Sequence, residues 1–219
     1  MRKALLLTAA LVAMPLMGSP AWSAECTSGS VASYTAAGFF CNVGPVIFSN
    51  IDVDPTVTGS GEITFTGFSP FTVPYNGTQQ YGLTLKYVAT TGQDGGTADV
   101  LWSYTVSAAP GFSLLDAYLA MSGNTTGEAL ILVSETLSNG VKLSLNGAGV
   151  DHETFSAINE LFVLKDQLSF AAEGDFATVS ALQNAFSVPG PIAGAGLPGL
   201  LIALGALVAF NRRRKTMAA

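Results

Sequence analysis

The sequence contains little of the side-chain chemistry on which most enzymes depend. It has one histidine, His152, and two cysteines, Cys26 and Cys41. A serine-hydrolase triad needs a histidine held beside a nucleophile, and the sequence contains no Gly-x-Ser-x-Gly nucleophile elbow. Two cysteines without a nearby histidine cannot supply the four ligands of a structural zinc site. We therefore predict no catalytic residue and no cofactor.

Basic residues are also scarce between the two ends of the chain. The segment from Ala24 to Ser187 holds three lysines and all fifteen carboxylates, which gives it a net charge of −12. Nucleic acids and anionic lipids are bound by clustered lysine and arginine. We therefore expect this segment to bind neither anionic lipid nor nucleic acid, and we predict no nucleic-acid partner for the protein.

The N-terminal residues 1–23 have the layout of a secretory signal peptide. Arg2 and Lys3 precede an apolar stretch, residues 4–13, that is too short to span a bilayer. Small residues lead up to Ser23, after which we place the cleavage, with Ala24 as the next candidate. The protein is therefore expected to be exported through the inner membrane.

The C-terminal residues 188–219 read as a linker, a membrane span and a basic end. The prolines and glycine of 188–191 interrupt regular structure, and the uncharged run 192–210 would form a helix about 28 Å long, enough to cross a hydrocarbon core of about 30 Å. The end, 211–219, carries four consecutive basic residues, which keep their side of the span in the cytoplasm; they are Arg212, Arg213, Arg214 and Lys215. The domain before the span is therefore expected to face outward.

The two cysteines lie in the segment predicted to be exported. Oxidising compartments favour disulfides, so we predict that Cys26 and Cys41 are bonded. Closing a loop of about 15 residues would stabilise the fold by about 3 kcal/mol.

Residues 24–187 are predicted to form one all-β domain, an antiparallel β-sandwich of jelly-roll or immunoglobulin-like type. Apolar residues alternate along 99–107, with Trp102 on the side predicted to be buried, and turn residues recur about every ten positions. Glycine-containing stretches at 91–96 and 138–140 predict hairpin turns. Two stretches, 31–40 and 153–161, are assigned a helical turn or two.

The C-terminal segment also resembles a known signal. A Val-Pro-x-Pro element, an apolar helix and a terminal arginine cluster occur in this order in the PEP-CTERM sorting signal of Gram-negative bacteria. The Val-Pro-x-Pro element here consists of Val188, Pro189, Gly190 and Pro191. Gly190 stands where the usual signal has a glutamate between the prolines.

This resemblance implies a processing partner and a destination. The partner is an exosortase, a membrane-embedded enzyme with a cysteine-protease-like site, which would cut near Pro189 to Pro191 and release the domain from its transient membrane anchor. Such signals occur in bacteria that make exopolysaccharide and build biofilm. The expected location is the cell surface or the extracellular matrix, and exopolysaccharide is the expected associated polymer.

Two other site types have candidate residues in the sequence. Tyr75 and Tyr81, near a Pro-Asn-Gly turn, are candidates for stacking on sugar rings. Calcium takes carboxylate oxygens from flexible loops, and the weak candidates are Asp52, Asp54, Asp94 and Asp99. Aspartates in turns more often bond to the local backbone, so no metal site is predicted.

The sequence thus predicts a non-enzymatic cell-surface or matrix protein. One alternative is a carbohydrate-binding module. The other is a secreted hydrolase, which requires His152 and Glu153 to line one pocket. Otherwise His152 is expected to be an exposed loop residue.

Overall fold

A computed structural model of the chain describes residues 24–189. The predicted signal peptide, 1–23, and the tail from Gly190 onward, with the 192–210 span and the basic end, lie outside the described residues. Within 24–189 one short helix precedes nine strands: α1 (Val31–Tyr34), β1 (Phe40–Val43), β2 (Val46–Tyr75), β3 (Thr78–Ala108), β4 (Leu114–Thr126), β5 (Leu130–Leu137), β6 (Lys142–Asn146), β7 (Gly149–Ile158), β8 (Glu160–Glu173) and β9 (Phe176–Ser187). No helix in this part of the chain is long and apolar enough to cross a membrane.

All strand pairs are antiparallel, which confirms the predicted all-β class. The strands follow the order β6-β5-β8-β3-β9-β4-β7, with β2 paired to β3 and β1 to β2. β2 and β3 form one long hairpin. One half of this hairpin belongs to a first half-sheet and the other half to a second, and the two half-sheets fold over each other. The result is a nearly closed, sandwich-like structure.

The first half-sheet contains β1, residues 46–59 of β2, residues 96–108 of β3, and strands β8, β5 and β6. The second contains residues 61–75 of β2, residues 78–91 of β3, and strands β9, β4 and β7. Buried side chains from both half-sheets form one core. Its largest members include Trp102 and Tyr104 from the first half-sheet and Leu83, Tyr87 and Phe186 from the second.

The predicted hairpin turn at 91–96 is wrong, because β3 continues through this stretch. Both halves of β3 pair with β2 instead of with each other. The glycines serve a bend: Gly59 and Gly96 have positive φ, 61° and 155°, and a Cβ on Gly61 would collide with the carbonyl oxygen of Thr97. Glycine therefore allows the two backbones to approach where the hairpin passes from one half-sheet to the other.

Most other predictions of local structure are confirmed. The 138–140 turn joins β5 to β6, with Gly140 at φ 89°, and Trp102 is fully buried while its neighbour Leu101 is 39% exposed. The helical turn predicted in 31–40 is α1, capped by Ser30. The one predicted in 153–161 is wrong: apart from Asn159 this stretch belongs to β7 and β8, because the segment from Leu114 to Ala117 of β4 supplies a pairing edge for β7.

The predicted disulfide is also confirmed. Cys26 and Cys41 are bonded, with their Cα atoms 4.9 Å apart, and both are buried. The bond fixes the N-terminal segment to β1, beside the bridge that pairs Glu25 with Asn42 of that strand.

Candidate functional site

A shallow groove lies on the outer surface of the first half-sheet, where β5, β6 and β8 run side by side. Its volume is about 370 Å³. The strand register aligns two rows of side chains across it, because Ser134 pairs with both Ser144 and Asp166, and Leu132 with both Asn146 and Leu168. We call these six residues the outer groove: Leu132, Ser134, Ser144, Asn146, Asp166 and Leu168.

The outer groove combines hydrogen-bonding and apolar groups in a small space. Two serine hydroxyls both donate and accept, the Asn146 amide does the same through separate atoms, and the Asp166 carboxylate accepts. The two leucines supply an apolar strip beside them. Such a surface suits a ligand that carries many hydroxyl groups on an apolar carbon skeleton.

Two further carboxylates adjoin Asp166. Asp54 and Asp166 both pair with Leu101, from the strands on either side of it, and Asp99 is on the same face of β3. Burial, the charge of Asp166 and a hydrogen bond with it, and the charge of Asp54 raise the pKa of Asp99 to about 6. Asp99 therefore takes up a proton in mildly acidic solution.

Apolar side chains surround the outer groove along β8 and its neighbours. Phe162 and Phe170 of β8 are 46% and 41% exposed, and Leu101 and Leu130 are exposed beside them. The opposite face of the same strand carries Lys165, Gln167 and Ser169, all fully buried. The usual polarity of β8 is thus reversed along its middle, where polar groups are inside and, apart from Asp166, apolar groups are outside.

The buried polar groups of β8 form part of a cluster at the centre of the core. Lys165 Nζ donates to Glu135 Oε2 at 2.6 Å, and Asn184 Nδ2 donates to both oxygens of Glu135 at 3.1 Å. All three residues are fully buried. Nζ also lies 5.1 and 5.2 Å from the ring centres of Trp102 and Tyr104. We call Glu135, Lys165 and Asn184 the core triad.

Burial dominates the ionisation of the core triad. It raises the pKa of Glu135, against the opposing charge and hydrogen bond of Lys165. It lowers the pKa of Lys165 to about 8, again against the attraction of Glu135. The state with a neutral lysine beside a protonated glutamate therefore costs much less free energy here than in water.

A second buried carboxylate, Asp116, lies on the outer face of the second half-sheet. It accepts from the Ser187 amide at 2.8 Å, the Ser187 hydroxyl at 2.6 Å and Gln80 at 3.2 Å. His152 Nε2 lies 3.2 Å from Asp116 Oδ2, with its N–H not aligned for a hydrogen bond. Contrary to expectation, His152 is thus a largely buried strand residue instead of an exposed loop residue.

This arrangement does not reproduce a hydrolytic triad. In a hydrolytic triad the histidine lies between the serine and the carboxylate. In this protein Asp116 lies between Ser187 and His152, so the histidine cannot take the serine proton. The hydrolase alternative requires His152 and Glu153 to line one pocket, but consecutive residues of β7 point to opposite faces.

The two tyrosines proposed for sugar stacking do not share a surface. The Tyr75 ring packs on the outer face, with its centre 5.1 Å from that of Tyr118 and 5.0 Å from that of His152. Tyr81 points to the core side and lies under Gly44, where an added Cβ would be 2.6 Å from its ring. A joint platform of Tyr75 and Tyr81 is therefore excluded by the strand alternation.

The four weak calcium candidates do not all meet at one place. Asp94 pairs with Glu173 at the far end of β8, while Asp52, Asp54 and Asp99 are on the outer face of the first half-sheet. Across residues 24–189, no three histidine, cysteine, aspartate or glutamate side chains are grouped so as to hold a metal ion.

The outer groove and the core triad were both missed by sequence reasoning. The available signal was the double alternation of residues 161–171, in which both faces carry apolar side chains and one face changes to polar in its middle. Such a pattern shows that β8 has two distinct faces, but it does not show which one is buried.

Comparisons with known proteins return only distant likenesses. No family model and no curated protein matches the sequence. Among solved structures, the chain is similar to a family 11 carbohydrate-binding module from Clostridium thermocellum in complex with a mixed-linked tetrasaccharide, at 10% identity and TM-score 0.22 over 62% of this chain and 88% of that one. It is also similar to a family two carbohydrate esterase from Cellvibrio japonicus, at 10% identity and TM-score 0.23 over 64% and 37% of the two chains.

A third likeness is to the enzymatically active domain of tailspike protein 4 of bacteriophage CBA120, at 12% identity and TM-score 0.26 over 63% of this chain. The chain spans 19% of the length of that tailspike chain and 37% of the length of the esterase chain, a minor part of each. At these TM-scores the likenesses assign neither a family nor an activity.

Proposed function

We propose that residues 24–187 form a non-catalytic extracytoplasmic domain that binds a glycan chain in the outer groove, with exopolysaccharide as the ligand class. The observation that carries the proposal is the composition of the groove. Hydroxyl, amide and carboxylate groups alternate there with leucines over about 370 Å³, which lies within the range of small-ligand sites, about 300–1,000 Å³.

The polar groups of the outer groove match the two sides of a sugar hydroxyl. Asp166 accepts a hydrogen bond from it, while Asn146 and the two serines both donate and accept. Leu132 and Leu168 provide contact for the C–H face of the ring. The groove lies on an exposed face of the sheet instead of in an enclosed cavity, which suits an internal stretch of a polymer.

The carboxylates of this face support binding more than hydrolysis. Glycosidases separate their two acids by about 5 to 9.5 Å, with the sugar between them. Asp99 and Asp166 are diagonal neighbours on the adjacent strands β3 and β8, and the influence of Asp166 raises the pKa of Asp99, which indicates two carboxylates placed side by side instead of on either side of a sugar. Asp166 therefore serves as an acceptor at the edge of the groove.

Retention of the protein on exopolysaccharide from its host tests this proposal. Asn146→Ala should weaken retention about fivefold to tenfold, since one hydrogen bond contributes about 1 kcal/mol. Asn124→Ala is the matched control, because Asn124 is an exposed asparagine on β4, in the other half-sheet. Equal retention of both variants, or no retention of the parent protein, would refute the groove as a glycan site.

Export and sorting form the second part of the proposal. The Cys26–Cys41 disulfide supports an oxidising, extracytoplasmic location. The tail supports it through its order of elements, with the linker 188–191, the membrane helix 192–210 and the basic end as the substrate of an exosortase. Deleting 188–219 should prevent surface display; unchanged display of the truncated protein would contradict sorting while leaving glycan binding open to its own test.

A further inference from the structure

We propose that the core triad is a self-crosslinking site, at which Lys165 Nζ forms an amide bond with the side-chain Cγ of Asn184 and Glu135 relays the proton. The bond would join β8 of the first half-sheet to β9 of the second. This inference is independent of the outer groove and of the tail.

The strand register explains why the three side chains meet. Glu135 and Lys165 are direct partners across β5 and β8, on the core side of the first half-sheet. Asn184 projects from β9 of the facing half-sheet into the same space. Glu135 Oε2 contacts both nitrogens, at 2.6 Å to Lys165 Nζ and 3.1 Å to Asn184 Nδ2, so they are no farther apart than those two distances combined.

The environment of the nucleophile favours attack. A lysine amine attacks a carbonyl carbon only when it is neutral, and desolvation is a general way to neutralise it. Lys165 is fully buried between Trp102 and Tyr104, and burial lowers its pKa to about 8. Glu135, whose pKa burial raises, is the adjacent group that accepts the lysine proton.

The environment of the amide leaves its carbon available. Asn184 Nδ2 is held by Glu135 and by the Tyr118 carbonyl at 2.8 Å, whereas its Oδ1 is buried without a hydrogen-bond partner. The nitrogen that must leave is thus placed against the acid that can protonate it. No hydrogen bond holds the Asn184 carbonyl oxygen before the reaction.

The step is balanced without an oxidant or any other reactant. A proton passes from the Lys165 ammonium to Glu135, and neutral Nζ then forms a bond to Asn184 Cγ. Nζ gives up a second proton through Glu135 to Nδ2, the Cγ–Nδ2 bond breaks, and ammonia leaves with the first proton as ammonium. Glu135 returns to its carboxylate form, which is the behaviour of a general acid–base relay.

Peptide mapping of the full chain tests the bond directly. Glu173 is the only glutamate between Lys165 and Asn184, so a glutamate-specific protease separates the two residues in an uncrosslinked protein. After reduction and denaturation we expect the fragment 161–173 to remain joined to the fragment that begins at Gly174, with a mass about 17 Da below their sum, the mass of one ammonia. Two separate fragments of full mass would overturn the proposal.

Variants assign the roles. Lys165→Arg should yield separate fragments, whereas Lys142→Arg, which changes an exposed lysine on β6, should leave them joined; the reverse result would place the bond elsewhere. Glu135→Gln should also yield separate fragments, and a joined product in that variant would overturn the relay role of Glu135. The measurement on the parent protein decides the bond itself, whether or not Glu135→Gln folds.

Discussion

Replacing Asp99 with asparagine should stabilise the protein in neutral and alkaline solution and leave its stability unchanged in acid. Asp99 lies among carboxylates: Asp166 is hydrogen-bonded to it and Asp54 adds negative charge from β2. Asparagine keeps an acceptor for the hydrogen bond that the Val100 backbone gives to this side chain. The substitution therefore removes mainly the charge repulsion and the cost of burying a charge.

The magnitude follows from proton linkage. The pKa of Asp99 rises from 3.8 to about 6 on folding, and a shift of about two units corresponds at most to about 3 kcal/mol. Asp99 is only partly buried, and solvent screens such a group, so we expect about 1 kcal/mol. Because the folded state holds the proton more tightly, the favourable contribution is fully present below pH 3.8 and is lost as the pH rises through 6.

Urea unfolding at pH 8 and at pH 4 measures this difference. Asp99→Asn should exceed the parent protein by about 1 kcal/mol at pH 8, with the gain disappearing at pH 4. Asp52→Asn is the control, since Asp52 is exposed on the same face of the sheet. A gain of equal size at both pH values, or a loss at pH 8, would refute the assigned cause.

Two further substitutions test the framework of the fold. Replacing Cys26 and Cys41 together by serine should lower the free energy of unfolding by about 3 kcal/mol, measured by denaturant titration under oxidising conditions; an unchanged value would mean that the disulfide does not constrain the unfolded chain. Gly61→Ala should cost about 2 kcal/mol because its Cβ meets the Thr97 carbonyl, whereas Gly92→Ala, whose Cβ would lie 3.4 Å from the nearest atom, is the control. If Gly61→Ala is as stable as Gly92→Ala, the bend does not require the backbone at Gly61 to approach the Thr97 carbonyl closely.

The sequence was informative where one residue type has one structural use. Ser138 to Gly140 predicted a hairpin, and two cysteines in an exported segment predicted a disulfide. It misled at 91–96, because glycine serves a bend within a long strand as well as a turn between two strands. Only the pairing of both halves of β3 with β2 distinguishes the two.

The candidate sites were less predictable because each joins strands that are distant in sequence. Glu135, Lys165 and Asn184 are unremarkable singly, and an isolated lysine or glutamate in a strand is normally a surface residue. Their meeting depends on the register of β5 with β8 and on the packing of β9 over them. Tyr75 and Tyr81 are close in sequence, but they lie on either side of the turn between β2 and β3. The alternation of side chains along these strands places them on opposite faces of the sheet.

The reversed polarity of β8 supplies its own test. Phe170 is 41% exposed on the outer face, while Val163 on the inner face is fully buried. Phe170→Ser should therefore cost less than about 1 kcal/mol, whereas Val163→Ser should cost about 3 kcal/mol, because it both removes core contacts and buries a hydroxyl. Thermal unfolding of the two variants compares them; an equally large loss for Phe170→Ser would mean that its ring is part of a packed interior, so that this face could not be an open binding surface.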